Sequence, residues 1–373
     1  MAGIYIHIPF CRKACHYCNF HFSTTHSLLP EMIAAIKREA QERSSYISEQ
    51  VNTIYFGGGT PSLCSNEQLQ DLLHTIRQHY QVANDAEITL EANPDDISPE
   101  KLAYWQQIGI NRLSIGIQSF VDEDLRWMNR AHTADDALQA IALAQQYGFD
   151  NISIDLIYGT PTLSDEQWAQ NVQTAIAANI PHLSCYALTV ESKTALDKMI
   201  QLKKAVAPEV EKQARHFELL MQWLSAANYE HYEISNFAKA GKRSKHNSSY
   251  WQGTHYLGIG PSAHSFNGHS RSWNVANNVL YINGINNNLP ILETELLTPI
   301  QALNEYILTS LRTTEGLSID KVEQQWGEQF AHQLENQAAP FVQQKVATLH
   351  NRYIQLNNAG RLLADGIAAD LFF

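Results

Sequence analysis

Long apolar runs are missing from this chain. Nothing approaches the roughly 20 consecutive apolar residues a membrane-crossing helix needs, so no segment reads as a transmembrane span. Basic charge is also short: 26 Lys and Arg stand against 38 Asp and Glu, a net charge of −12. Neutralising phosphates requires a basic face, so a general nucleic-acid binder is disfavoured. The opening MAGIYIHIPFC lacks the basic region and cleavage site of a secretory leader and looks like a folded strand, which predicts a cytoplasmic protein. Cysteines number five, an odd count, and three of them crowd together as Cys11, Cys15 and Cys18. That is not the arrangement of a disulfide framework; a tight cluster in such a chain more often binds metal. Cys64 and Cys185 stand alone and read as small buried hydrophobes. Repeats and low-complexity tracts are absent apart from one structural rhythm.

That rhythm occupies the first half of the 373 residues, a length that suits two or three domains. Short apolar runs at 4–9, 53–58, 87–92, 112–119, 151–159 and 182–189 read as strands. Amphipathic stretches at 67–80, 99–109, 134–149 and 166–180 lie between them and read as helices. Regular alternation of this kind predicts an α/β fold with a parallel sheet. Six units suit a partial TIM-like (β/α)6 barrel, with a flat doubly wound sheet as the rival. After Glu191 the rhythm changes, with a long helical pattern over 207–228 and then a stretch rich in His, Gly, Asn and aromatics. The division predicted is a barrel domain over 1–230, a His- and aromatic-rich connecting segment over 231–295, and a smaller, mostly helical C-terminal domain over 296–373. The last of these ends in YIQL, the turn NNAG and a final helix, a winged-helix-like pattern. No basic cluster accompanies it to support DNA binding.

The chemistry concentrates in CRKACHYCNF, residues 11–20. Iron–sulfur clusters are held by Cys thiolates, usually one on each iron. The C-x3-C-x2-C spacing supplies three, and Phe20 stands where a fourth thiol might follow. Three thiolates on a [4Fe–4S] cube leave one iron open to a small molecule. A structural zinc site, with His16 or His21 as fourth ligand, is the alternative. The position just after a first barrel strand favours the cube, because loops at the C-terminal ends of barrel strands build active sites. GGGTP at 57–61 ends the second strand, and its glycines let backbone approach a ligand closely.

YIHIPFCxxxCxxC resembles the opening of the radical S-adenosylmethionine (SAM) superfamily, in its coproporphyrinogen-oxidase-like branch. The resemblance covers nearly the whole chain. It implies that SAM chelates the open iron of the cube and that its reductive cleavage can yield a 5′-deoxyadenosyl radical. It also assigns roles. Gly58, Gly59 and Thr60 belong to the segment that cradles the methionyl amino group, and Glu91 matches a ribose-binding carboxylate. Gln118, Arg130 and Asp155 match nucleoside- and SAM-contacting positions, and Tyr5 and Tyr17 match aromatic positions beside the cluster.

The branch holds two functions. One is a dehydrogenase that oxidatively decarboxylates propionate side chains of coproporphyrinogen III. The other is a haem chaperone that binds haem and passes it to haem-requiring proteins, such as respiratory enzymes at the cytoplasmic membrane. Three features favour the chaperone and disfavour dehydrogenase activity. Phe20 replaces the fourth cysteine of the enzyme's C-x3-C-x2-C-x-C. Only ten residues precede Cys11, where the enzyme has a longer segment. KHNSSYW at 245–251 fits the H-N-x-x-Y-W signature of the chaperone group. Haem iron takes an imidazole or thiolate, and its porphyrin takes aromatic walls. His246, Asn247, Tyr250, Trp251 and His264 are therefore the candidate haem residues. Haem and its acceptors are the implied partners, nucleic acid is not, and peripheral membrane association and a dimer stay open.

Overall fold

The computed structural model describes residues 1–373. Its architecture follows from a period-two alternation in the strands, which sends successive side chains to opposite faces of a sheet. In β1 (Ala2–Ile8), Ile4, Ile6 and Ile8 are buried in the main apolar core, while Tyr5 and His7 take the other face. The scheme repeats in β2 (Val51–Gly58), β3 (Val82–Ala92), β4 (Arg112–Gln118), β5 (Ile152–Tyr158) and β6 (His182–Ala187). Ile54 and Phe56, Ile88 and Leu90, Leu113 and Ile115, Ile154 and Leu156, and Leu183 and Cys185 join the apolar face. Thr53 and Tyr55, Glu87 and Glu91, Arg112 and Ser114, Ser153 and Asp155, and His182 and Ser184 form the polar one.

These six strands lie side by side in chain order, each parallel to the next. Helices Asn66–His79, Pro99–Ile108, Ala134–Gln146 and Asp165–Ala177 connect them. Ser65, Thr133 and Ser164 start three of these helices with reciprocal capping boxes, which satisfy backbone N–H groups that the first turn leaves free. A further helix, Leu29–Glu42, lies between β1 and β2 and was not among the helices read from the sequence. Met32, Ile33 and Ile36 give it an apolar stripe that meets the same core.

Residues 231–295 add strands to both edges of the sheet. β7 (Glu230–Glu233) and β8 (Asn236–Ala238) extend it beyond β6. At the other edge β9 (His255–Ile259) pairs parallel to β1, followed by β10 (His264–Phe266), β11 (Ser270–Asn274) and β12 (Leu292–Leu296) in antiparallel order. A buried carboxylate ties this edge to the helix Leu29–Glu42. Glu39 accepts from Gly260 N (2.8 Å), Asn274 Nδ2 (2.7 Å) and Tyr281 Oη (2.6 Å) and pairs with Arg43 at 3.0 Å.

The C-terminal region has its own apolar core, built from residues such as Leu303, Ile307, Leu334 and Ile367. Its helices, among them Pro299–Leu311 and Glu328–Gln343, surround a small antiparallel sheet of β13 (Leu317–Ser318), β14 (Ala347–His350) and β15 (Tyr353–Leu356). No helix of the chain is long and apolar enough to cross a membrane.

Candidate cofactor site

Strands that run parallel bring all their C-terminal ends to one rim, and the loops leaving that rim enclose a cavity of about 380 Å3. Cys11, Cys15 and Cys18 line it from the loop after β1. Across from them stand Glu91 at the end of β3, Gln118 at the end of β4 and Asp155 on β5. Tyr17, Gly58, Gly59, Thr60 and Arg130 complete the set that the sequence singled out. Tyr5 does not line the cavity; its hydroxyl meets His7 Nδ1 at 3.1 Å and its ring stacks on Tyr55. Glycine is needed twice at the rim. Gly58 has φ 107°, and a Cβ on Gly59 would stand 2.6 Å from the Phe10 carbonyl. Gln118 also adopts a left-handed conformation, with φ 69°. Strain of this kind in a non-glycine residue collects at functional sites.

The thiols are suited to an open cluster. All three cysteines are unpaired and partly exposed to the cavity, and no histidine lines it. His16 Nδ1 bonds the Trp127 carbonyl (2.9 Å) and His21 Nε2 bonds Asn278 Oδ1 (2.7 Å), so the two histidines considered for zinc lie off the cavity. No three or more Cys, His, Asp or Glu side chains, the three loop thiols included, are gathered so as to hold a single metal ion. A donor set of three thiols facing open space fits a cube with one free iron better than four-coordinate zinc. Arg130 fixes the middle thiol: it donates to Cys15 Sγ (3.2 Å), Asn93 Oδ1 (2.6 Å) and the Gly116 carbonyl (2.7 Å). Burial pushes the Cys11 thiol up to about 11, a cost that binding to iron would have to overcome.

Glu91 is held on both oxygens, by the Tyr55 hydroxyl at 2.8 Å and by Gly58 N–H at 3.2 Å. Burial raises its carboxyl to about 7 and that of Asp155 to about 6. In the folded chain Glu91 therefore stays protonated to higher pH than an ordinary carboxyl, up to about 7. That preference stabilises the fold fully below the ordinary carboxyl value and is lost as pH rises through about 7.

The candidate haem residues separate. Asn247 lines the cavity. His246, one position earlier on the helix Lys245–Trp251, is 1% exposed and lies beneath it. Its Nδ1 meets Thr53 Oγ1 at 2.8 Å and its Nε2 meets Tyr250 Oη at 2.9 Å. Both nitrogens are thus taken, burial lowers the ring to about 3, and in this conformation neither nitrogen is open to haem iron. Trp251 faces the C-terminal region, with the Arg312 guanidinium 5.4 Å from its ring. His264 is exposed at the start of β10, its ring 5.9 Å from that of Trp273.

Several lining residues were not singled out from the sequence, including Asn93, Ser114, Gly116, Ser184, Tyr186 and Glu191. Alternation could have found Ser114 and Gly116, which share the face of Gln118, and Ser184 and Tyr186, which share the polar face of β6. Asn93 and Glu191 lie in loops, where no periodicity applies.

Residues 5–175 match the Radical SAM superfamily and residues 297–363 match the HemN C-terminal domain. A protein of Mycobacterium tuberculosis named heme chaperone HemW is 34% identical over 99% of this chain and 94% of its own length. The chain belongs to the radical SAM superfamily, in its coproporphyrinogen III oxidase-like family. Within that family, the heme chaperone HemW of Bacillus subtilis is 36% identical over 88% of this chain and 87% of its own length. Among solved structures, coproporphyrinogen III oxidase (HemN) of Escherichia coli, described as a radical SAM enzyme, superposes with a TM-score of 0.87. It is 25% identical and covers 100% of this chain and 90% of its own length. Membership implies a [4Fe–4S] cluster and SAM. Bound SAM would supply a ligand to the open iron and a source of one-electron chemistry. Cys11, Cys15 and Cys18 are the residues that would hold the cube, with the polar groups of the rim facing the same cavity.

Two measurements test the assignment of Glu91. A ribose acceptor contributes one or two charge-assisted hydrogen bonds, each roughly 1.5–3 kcal/mol, so Glu91→Ala should weaken SAM binding about tenfold or more with cluster iron retained. Unchanged affinity by calorimetry on the reconstituted protein would remove the ribose role. The raised carboxyl adds a pH dependence. SAM affinity should fall as pH drops through about 7, because the protonated group is the poorer acceptor. Glu91→Gln should flatten that profile; an unaltered slope would assign it to another group.

Proposed function

We propose that the chain is a haem chaperone that carries a [4Fe–4S] cluster and SAM and delivers haem to haem-requiring proteins. The observation that carries this reading is near full-length similarity to proteins named heme chaperones. Phe20 adds to it. The side chain is 66% exposed beside the cavity, where the enzymes of the family carry a further cysteine. The acceptors we propose are respiratory enzymes of the cytoplasmic membrane, reached from the cytoplasm. For the haem contact, His264 is the imidazole of the 246–266 segment that supports the reading. β9 runs parallel to β1, so the turn after it lies at the same end of the sheet as the cysteine loop. His264 follows that turn, exposed and stacked on Trp273. His255, by contrast, pairs with Glu49 at 2.6 Å.

The alternative is the dehydrogenase, which the superposition on coproporphyrinogen III oxidase keeps in view. One reconstituted sample separates the two. Supplied with coproporphyrinogen III, SAM and a reductant, it should form no protoporphyrinogen, while a parallel titration should show stoichiometric haem binding. Product formation overturns the chaperone reading. Haem binding should persist in a variant lacking all three cluster cysteines, since the ligands differ, and His264→Ala should shift the Soret band. A spectrum unmoved by His264→Ala would place the haem elsewhere.

A further inference from the structure

The H-N-x-x-Y-W helix has a use in this fold other than haem. Glu91 can receive a ribose only if its carboxylate is held in place, and one of its two holders is the Tyr55 hydroxyl. Tyr55 in turn stacks on the His246 ring, with centroids 5.0 Å apart and planes at 25°. His246 is itself fixed at both nitrogens. Thr53, two residues before Tyr55 on the same face of β2, meets Nδ1, and Tyr250 of the same helix meets Nε2. The helix cannot drift, because Glu87 of β3 accepts from the backbone N–H groups of Lys245 (3.2 Å) and His246 (3.0 Å). The stack has little slack. A Cβ on Gly57 would stand 2.9 Å from the rings of Tyr5 and Tyr55 and 3.1 Å from the Glu91 carboxylate. A Cβ on Gly3 would stand 2.9 Å from Thr53 Oγ1 and 3.4 Å from the His246 ring.

We propose that His246 is a positioning residue of the SAM site, acting through Tyr55 on the Glu91 carboxylate. The inference rests on reading the rim cavity as the SAM site. It accounts for the motif by the two sides of one short helix. Asn247 reaches the cavity wall, while His246 and Tyr250 brace its floor. It also accounts for why the histidine is neutral and buried, a condition that suits a fixed hydrogen-bonding spacer and not a group waiting for iron.

The test is SAM affinity of the cluster-loaded protein in five variants, with iron content and thermal midpoint recorded for each. His246→Phe keeps a ring beside Tyr55 and removes both hydrogen bonds. Tyr55→Phe removes the donor to Glu91. Losing the equivalent of one hydrogen bond corresponds to about fivefold in affinity, and each single change should show that loss. The double variant should bind SAM no more weakly than Tyr55→Phe alone, because both act through one carboxylate; independent losses that multiply overturn the proposal. Tyr250→Phe is the milder variant should His246→Phe fold poorly, and it should weaken SAM binding a few-fold in the same direction. Haem titration of His246→Phe should match the unaltered protein; loss of haem binding with SAM affinity intact overturns the proposal. Glu91→Ala separates this inference from the reading beneath it. If Glu91→Ala binds SAM normally, the SAM site itself is misplaced and the inference falls with it. If Glu91→Ala binds weakly but His246→Phe and Tyr250→Phe bind normally, only the positioning role is lost.

Discussion

Replacing Cys11, Cys15 or Cys18 with alanine should remove most of the cluster iron, whereas Cys64→Ala and Cys185→Ala should keep it. The three loop cysteines face one cavity without another thiol or an imidazole on its wall. Each would therefore be the sole protein ligand to one iron, and two thiolates would not hold a cube. Cys64 and Cys185 are each 1% exposed in the main apolar core, where burial holds their thiols well above the usual range. Their loss leaves a small cavity and a modest change in stability, not a change in iron. Iron and acid-labile sulfide, measured on anaerobically reconstituted protein, give the answer. A Cys64 variant as depleted as the Cys15 variant would break the three-thiolate assignment.

Glu87→Ala should destabilise the fold by about 3 kcal/mol or more. Glu87 and Arg112 face each other on the polar face of the sheet with an N···O distance of 3.9 Å, and both side chains are almost completely buried. Arg112 has two buried nitrogens without hydrogen-bond partners, so removing the carboxylate takes away its one ion-pair partner. It also strips the acceptor from the first N–H groups of the helix Lys245–Trp251. Glu87→Gln keeps an oxygen for that helix and loses only the charge, so it should fall between the two. Urea unfolding followed by circular dichroism reads the difference. A Glu87→Ala midpoint equal to that of the unaltered protein would show that the buried pair contributes nothing.

Much of this protein is written locally. The six parallel strands, from Ala2–Ile8 to His182–Ala187, fall on the runs read as strands to within a few residues, β3 excepted, which starts five residues before its predicted 87–92 run. Alternation of apolar and polar residues carries that information, because it reflects two faces with different neighbours. The three-cysteine loop and GGGTP are equally legible, since their chemistry lies in residue type and spacing. Glu91, Gln118 and Asp155 could be placed on one rim because parallel strands align their C-terminal ends.

The pairings on the polar face of the sheet were decided only by the tertiary structure. Nothing in the sequence links Glu87 to Arg112, or Thr53 to His246 across 193 positions. Those pairings depend on which strand lies beside which and on where a later helix enters. The motif KHNSSYW shows the difference most clearly. A histidine among aromatics reads from sequence as a ligand waiting for iron. Folded, it is a buried neutral ring with both nitrogens occupied, because the strands of residues 231–295 extend the sheet at both edges and carry the helix beneath the cavity. Spacing along the chain determines which residue types can meet a cofactor. Which nitrogen remains free to do so is set by the neighbours that packing supplies.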